Sequence, residues 1–271
     1  MIVVLIAGAS SMDLEDPLAH FAEHGWARLG HVASDAAVAS MRKRAEDIML
    51  GVVTYPGLFF QHDTDTGRYG DLKYGRGYEG PSLRYRKIEK VEKDPIFRAW
   101  IDNSLFERVA RACIGPGPIA IYRALLFAKA EHGGTTLPWH QDGGVFWGLD
   151  RDPTLQIWTA LDDAPEDAGC VEVFSGSQRR GLATPLGGVV PENIVRERLT
   201  DCHARKITAR AGEAILIHNH LWHRSGVNTT ARPRRALTIC YMSANTRCLR
   251  KRRAPRAFVR VFDQRPSTVG E

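Results

Sequence analysis

Residues 119–144 read IAIYRALLFAKAEHGGTTLPWHQDGG: a long apolar run, a Gly-rich turn, and a shorter run ending in histidine and aspartate. The first run continues from Ile119 to Ala130 without helical spacing, as a buried strand does. Strand alternation sets Arg123, Leu125, Phe127 and Lys129 on one face. Further runs of this kind follow at fairly regular spacing: Leu155 to Ala164, Cys170 to Phe174, Gly212 to Asn219 and Arg235 to Met242. Turns rich in Gly, Asp and Pro separate them. That rhythm predicts a sandwich, jelly roll or barrel.

Upstream of residue 119 the period changes. Asp16-Pro17 opens a short amphipathic segment through His24, closed by Gly25, and Trp26 to Leu29 reads as a short strand. Ser34-Asp35 can cap a helix to about Leu50, with Ala37, Val38, Met41 and Ala45 on one face. Asp94-Pro95 starts another helical stretch, in which Phe97, Trp100, Ile101, Leu105, Phe106, Val109 and Ala110 recur at helical spacing until Gly115. Between them, Gly51 to Pro81 is rich in Gly, Asp and Tyr and has no period, which predicts a long loop of the kind that forms lids. The expected fold is mainly β: a double-stranded β-helix (jelly roll, cupin-like) core over residues 115–245, carrying an N-terminal helical layer. The whole chain is expected to form one domain, with a basic C-terminal segment over 246–271.

At 271 residues the chain can bury a core without disulfides or a structural metal. Its charge is +6, and residues 247–271, with seven Arg and one Lys against one Asp and one Glu, carry that whole excess. The near-neutral remainder lacks the broad basic face of a nucleic-acid binder, and the basic end reads as a solvated tail. Five cysteines at wide spacing with no CxxC point to free thiols in a reducing compartment, so a cytoplasmic location is expected. The opening MIVVLIAGASS has no basic flank and is too short to span a bilayer. Met12 begins a more ordinary sequence, so residues 1–11 are read as a candidate misassigned start.

In WHQDGG, His140 and Asp142 stand two apart, and an extended chain points both side chains to one face. One imidazole and one carboxylate can share a metal ion, and HNHLWHRSG offers His218, His220 or His223 as a third ligand. Two His and one carboxylate on one side of a metal leave open positions, the pattern of non-haem Fe(II) oxygenases. A 2-oxoglutarate bound at such a metal needs a cation for its far carboxylate, and a planar guanidinium serves best. Arg234 lies eleven residues beyond His223, where a strand pair joined by a turn would bring the two into one pocket.

WHQDGG, IWTALDDAPEDAGCVEVFSGSQRRG and GEAILIHNHLWHRSGVNTTARPRRALTICY, in this order and spacing, resemble the phytanoyl-CoA dioxygenase family of Fe(II)/2-oxoglutarate oxygenases. The resemblance covers roughly Ile119 to Met242, and YRKIEKVEKDP before it is also family-like. It implies that His140, Asp142 and His223 hold iron, that Arg234 with Ser225 binds 2-oxoglutarate, and that Trp158 stands beside the co-substrate. Lys129 and Phe127 fall where residues often line the same pocket. It also implies use of O2 and release of succinate and CO2. Arg224 replaces a frequent Gly, and Ser177-Gln178 a frequent Ser-His; neither is expected to bind metal. Because related halogenases lack the carboxylate ligand, Asp142 favours hydroxylation or a related oxidation.

The substrate is expected to be a small organic molecule, with an anionic group on Arg123 as one option, beside Phe146 and Trp147 and under the 51–81 loop. A tailoring step in natural-product metabolism is the leading expectation, with no nucleic-acid or membrane partner. The rival readings are a cupin-type metal enzyme that does not use 2-oxoglutarate, a non-catalytic ligand-binding jelly roll, and a nucleic-acid demethylase.

Overall fold

The computed structural model describes residues 12–199, 204–251 and 256–263. The candidate start region 1–11, Cys202 and part of the basic C-terminal segment lie outside the described residues. The described chain begins with α1 (Glu15–His24), β1 (Trp26–His31) and α2 (Asp35–Met49). Ser34 caps α2 by accepting from the Ala37 amide, and Gly25 ends α1 in the left-handed conformation. Next come β2 (Phe59–His62) and β3 (Tyr85–Glu89), then α3 (Pro95–Ile101) and α4 (Ser104–Ile114). The stretch from Pro95 to Ile114 is therefore two helices. Asn103 divides them, because its side chain accepts from the Phe106 amide and opens a second helix.

The remaining strands are β4 (Ile119–Lys129), β5 (Leu137–Gln141), β6 (Leu155–Ala160), β7 (Val171–Val173) and β8 (Gly188–Val189). After α5 (Glu192–Arg198) follow β9 (Arg205–Ile207), β10 (Glu213–Ile217), β11 (His223–Ser225), β12 (Arg234–Ser243) and β13 (Val259–Phe262). One antiparallel sheet runs β1-β10-β6-β12-β4-β3-β2, with β13 also on β4; the other runs β8-β5-β11-β7-β9. This is the expected jelly roll beneath a helical layer. The large sheet also recruits β1, β2 and β3 from before residue 115. The 51–81 segment is accordingly not all loop, since Phe59–His62 pairs with β3 and Tyr69–Asp71 makes a single helical turn.

The two faces of the large sheet do different work. Outward, Met41, Ile48, Phe97, Trp100, Leu105 and Phe106 of the helices bury against Ile121, Leu237, Ile239 and Tyr241. Each such side chain contributes about 1.5–3 kcal/mol of burial free energy. Inward, Trp158, Ile215 and Ala236 meet Val171, Val173 and Ile207 of the small sheet. Two bulges break the alternation on the way to the site. Cys240 faces Arg123 but Tyr241 faces Ile121, so Tyr122 is an extra residue. Gln61 faces Lys87 but His62 faces Tyr85, so Arg86 is another. A bulge re-aims neighbouring side chains: Tyr122 and Arg123 both reach Trp147, and Arg86 and Lys87 both line the inter-sheet cavity.

Asp94 ties the helical layer together. Its fully buried carboxylate accepts from the Ile96 and Phe97 amides at 2.8 and 3.2 Å, from Arg44 at 2.7 Å and from the Tyr55 hydroxyl at 2.8 Å. Asp94→Ala removes the cap and strands a half-buried guanidinium, so it is expected to cost about 3–5 kcal/mol, read as a fall in the urea midpoint.

The basic C-terminal segment is not simply a solvated tail among the described residues. Arg247 pairs with Asp150 at 2.9 Å, the Leu249 amide bonds Gly148, Arg250 donates to the Phe146 carbonyl at 2.6 Å, and Arg256 donates to the Tyr122 carbonyl. These contacts fasten the wall of the cavity that holds Phe146 and Trp147. No helix among the described residues is long and apolar enough to cross a membrane.

Candidate metal centre and its pocket

His140 is the last residue but one of β5 and Asp142 follows just beyond its end, while His223 opens β11 directly opposite His140. Ligand atoms of the three lie within 4.8 Å of one another. The Nδ1 of His140 sits 2.9 Å from the Pro138 carbonyl, and the Nδ1 of His223 sits 2.8 Å from the Leu221 carbonyl. A carbonyl only accepts, so each Nδ1 carries the proton and each Nε2 keeps a lone pair for a cation. Burial, reinforced by the neighbouring His223, lowers the His140 pKa to about 3 and keeps that ring neutral.

Asp142 is held at both oxygens. Arg123 donates to Oδ1 at 3.0 Å and Gln156 to Oδ2 at 2.7 Å. Burial alone would raise the Asp142 pKa; Arg123, His140 and His223 outweigh it and bring the value down to about 2. Gln141, between the two candidate ligands, points to the other side of the strand. It bonds Gly181, Ala183 and His220, which pins the turn. Gly144 then turns the chain at φ 79°, where a side chain would run into the backbone of Leu186 and Gly187 at 2.7 Å.

The cluster lies in the wall of a cavity of about 490 Å³ between the sheets. Arg234, Ser225, Trp158, Lys129, Phe127, Arg123, Phe146 and Trp147, the residues singled out from the sequence, line it. Arg234 shares the pocket with His223, but not through a hairpin: β11 belongs to the small sheet and β12 to the large one, so the two side chains converge from facing sheets. Arg234 is 3% exposed and donates to the Gly169 carbonyl at 2.5 Å; burial lowers its pKa to about 10.

Lys129 and Arg123 are not solvated strand edges. Lys129 is 6% exposed, donates to the Thr135 carbonyl at 2.6 Å, and has its pKa pushed well down by burial and then by Arg234. Arg123 lies 4.4 Å above the Trp147 ring, which in turn stacks on Tyr122 at 4.3 Å. Arg224 stays at the rim, paired with Glu172 at 2.7 and 3.0 Å. Ser177 accepts from the Trp222 amide and Gln178 donates to the end of α1, so these two hold structure.

His218 and His220 stand outside the cluster. His220 bonds Asp152 at 2.9 Å, and His218 Nδ1 accepts from the His220 amide. Burial, and then the charge of His220, lower the His218 pKa to about 4. The unfolded chain therefore takes up a proton near its ordinary pKa of about 6.5 that the fold refuses. The His218 contribution to stability is expected to be flat above about pH 6.5 and to fall towards pH 4, and His218→Gln should flatten that part of the fall in thermal melts.

Gln156, Arg86, Lys87, Gln61 and Thr238 also line the cavity and were not singled out from the sequence. Gln156 had a signal, since it stands two residues before Trp158 and so shares its face of β6.

A jelly roll with two imidazoles and one carboxylate gathered on one side of a cavity defines the class of non-haem Fe(II) oxygenases. The family model for phytanoyl-CoA dioxygenase (PhyH) matches residues 21–236. The chain belongs to the phytanoyl-CoA dioxygenase family, and it is an Fe(II)- and 2-oxoglutarate-dependent oxygenase. L-proline trans-4-hydroxylase of Streptomyces griseoviridis is 26% identical over 254 residues, spanning 85% of this chain and 87% of that protein. EctD from S. alaskensis, solved with 2-oxoglutarate and 5-hydroxyectoine, superposes with a TM-score of 0.72 at 20% identity, covering 97% of this chain and 92% of that one. The carbocyclase SnoK from nogalamycin biosynthesis gives 0.68 at 18% identity, covering 89% and 88%. At these identities the two structures establish the shared fold.

Proposed function

We propose that this enzyme oxidises an unactivated C–H bond of a small organic molecule, with iron held by His140, Asp142 and His223 and 2-oxoglutarate anchored by Arg234. The observation that carries this reading is the joint placement of three ligand atoms within 4.8 Å and a buried arginine on the wall of one cavity. The donor set fits: two imidazoles, each with its Nδ1 tied to a backbone carbonyl, and one ionised carboxylate are the ligands such an iron takes. The orphaned atoms fit too, since Arg234 Nε and Thr238 Oγ1 are buried in the cavity wall with no protein partner, as a missing carboxylate would leave them. When bound, iron and 2-oxoglutarate supply the activation of O2 that oxidises the C–H bond, releasing succinate and CO2.

The chain's own residues orient and enclose. Arg123 and Gln156 fix the plane of Asp142, and Pro138 and Leu221 fix the two rings. Arg234 gives the far carboxylate a planar partner. Ser225 and Trp158 flank that position, with Trp158 5.9 Å from the guanidinium, and Phe127 and Lys129 complete its surroundings. Trp147 and Phe146, braced by the C-terminal segment, bound the substrate side.

Residues 1–271 act as one domain in this reading, and the location is the cytoplasm, as the unpaired thiols Cys113, Cys170, Cys240 and Cys248 suggest. A role in specialised metabolism is supported by relatives and neighbours named for proline hydroxylation and nogalamycin biosynthesis.

Anaerobic titration of metal-free protein with Fe(II) and 2-oxoglutarate tests the reading. A weak visible charge-transfer band is expected. Folded, iron-loaded protein without that band would sink the Arg234 assignment and favour a cupin-type enzyme that works without 2-oxoglutarate.

A further inference from the structure

The charges on the cavity wall do not balance. Among the described residues it carries the cations Lys73, Arg86, Lys87, Arg123, Lys129 and Arg234, with Arg224 at the rim, and Asp142 is its one acid. Several of these are answered nearby: Arg224 by Glu172, Lys87 by Glu89 at 2.9 Å, and Arg234 by the co-substrate in the reading above. The one direct ion pair of Arg123 is with Asp142, at 3.0 Å, and Glu89, already paired with Lys87, adds to it from further off. That compensation is shared once Asp142 also faces a divalent cation. The Nε of Arg123 is buried without a partner. A partly buried guanidinium with an enclosed, unpartnered Nε, whose counter-charges are shared with a metal and a lysine, calls for a further anion.

The surroundings say what kind of anion. Arg123 is held between the Trp147 ring, 4.4 Å from its guanidinium carbon, and the Asp142 carboxylate, so its planar fork is placed before any ligand arrives. A planar fork matches a carboxylate at two points. Around it the wall turns apolar and aromatic: Phe59, Phe127, Leu137 and Trp147 line the cavity, and Phe146, 65% exposed, stands at its edge. We propose that the substrate is a small organic acid with an apolar body, and that its carboxylate docks on Arg123. Because Arg123 touches a candidate metal ligand, an acid docked there holds the carbons next to its carboxylate against the metal position. This inference rests on the oxygenase reading and names the substrate class of that same cavity.

The test is equilibrium binding by calorimetry, without oxygen, on protein saturated with Fe(II) and 2-oxoglutarate, so that Arg234 is occupied. The probes are L-proline, benzoate, phenylacetate and hexanoate, each beside its primary amide. At least one acid is expected to bind about tenfold or more tightly than its amide, the effect of one charge-assisted contact. Arg123→Gln should erase that preference, and Arg123→Lys should restore part of it. The charge-transfer band, recorded first, separates the two readings: its absence overturns the oxygenase assignment, whereas a normal band with no acid preference overturns only this one. Amides that bind as well as acids, or no binding by any acid, would sink the proposal in the wild-type protein alone. A preference retained by band-positive Arg123→Gln would move the anchor elsewhere and sink it too.

Discussion

Asp142→Ala is expected to bind Fe(II) about 100-fold or more weakly and to lose at least about 1000-fold in succinate release. The first figure follows from losing one of three protein ligands, which exceeds the 10- to 100-fold typical of losing an outer partner. The second follows because weaker iron binding and a displaced iron compound in kcat/KM, each tenfold being about 1.4 kcal/mol. Asp142 is also the anion between Arg123 and Gln156, so its removal strands two buried donors. Asp142→Asn keeps the volume and removes the charge, and is expected to fail at iron binding as well. Metal content after dialysis, read beside far-ultraviolet circular dichroism, separates loss of metal from loss of fold. Full iron occupancy in folded Asp142→Ala would remove Asp142 from the ligand set.

Arg234→Ala should raise the KM for 2-oxoglutarate about 100-fold, the effect of losing a charge-assisted pair worth about 3 kcal/mol. Arg234→Lys keeps a charge but not the planar two-point contact, and an intermediate loss of about tenfold is expected. The change should fall on KM for 2-oxoglutarate, while iron content stays that of the wild type, since Arg234 touches none of the three candidate ligands. Equal losses in kcat with unchanged KM would instead make Arg234 a structural brace for Gly169, whose carbonyl it bonds.

The difference between these two residues also shows what the sequence can convey. That Asp142 shares a face with His140 was legible from spacing alone: a separation of two on an extended chain is geometry, and it needs no knowledge of the neighbours. Arg234 was legible only as a cation at the right distance along the chain. Its actual route into the pocket, from the sheet opposite His223, depends on strand order, which no local pattern encodes. The same limit hid the partners of Asp142. Gln156 and Arg123 come from strands that meet it only after the sheets close, so nothing near WHQDGG announces them. Bulges defeat alternation outright: the pattern that set Arg123 apart from its neighbour Tyr122 fails where one extra residue turns both toward Trp147. The helix break at Asn103 was written in the sequence as an Asn before Ser-Leu-Phe, a capping signal that the continuous apolar spacing masked.

Strand β12 lies in the middle of the large sheet, between β6 and β4, yet most of the chain precedes it. On the ribosome, then, β4 and β6 wait for the partner that joins them, and each shows unpaired amides and carbonyls meanwhile. The helices can form early, but the surface they cover is finished late. Contacts between residues more than a hundred positions apart, such as Arg234 opposite Lys129, must form before the sheet gains stability, which slows folding. A message cut short before Ser243 would yield a collapsed intermediate with open edges, not a smaller enzyme, and so a substrate for chaperones and proteases.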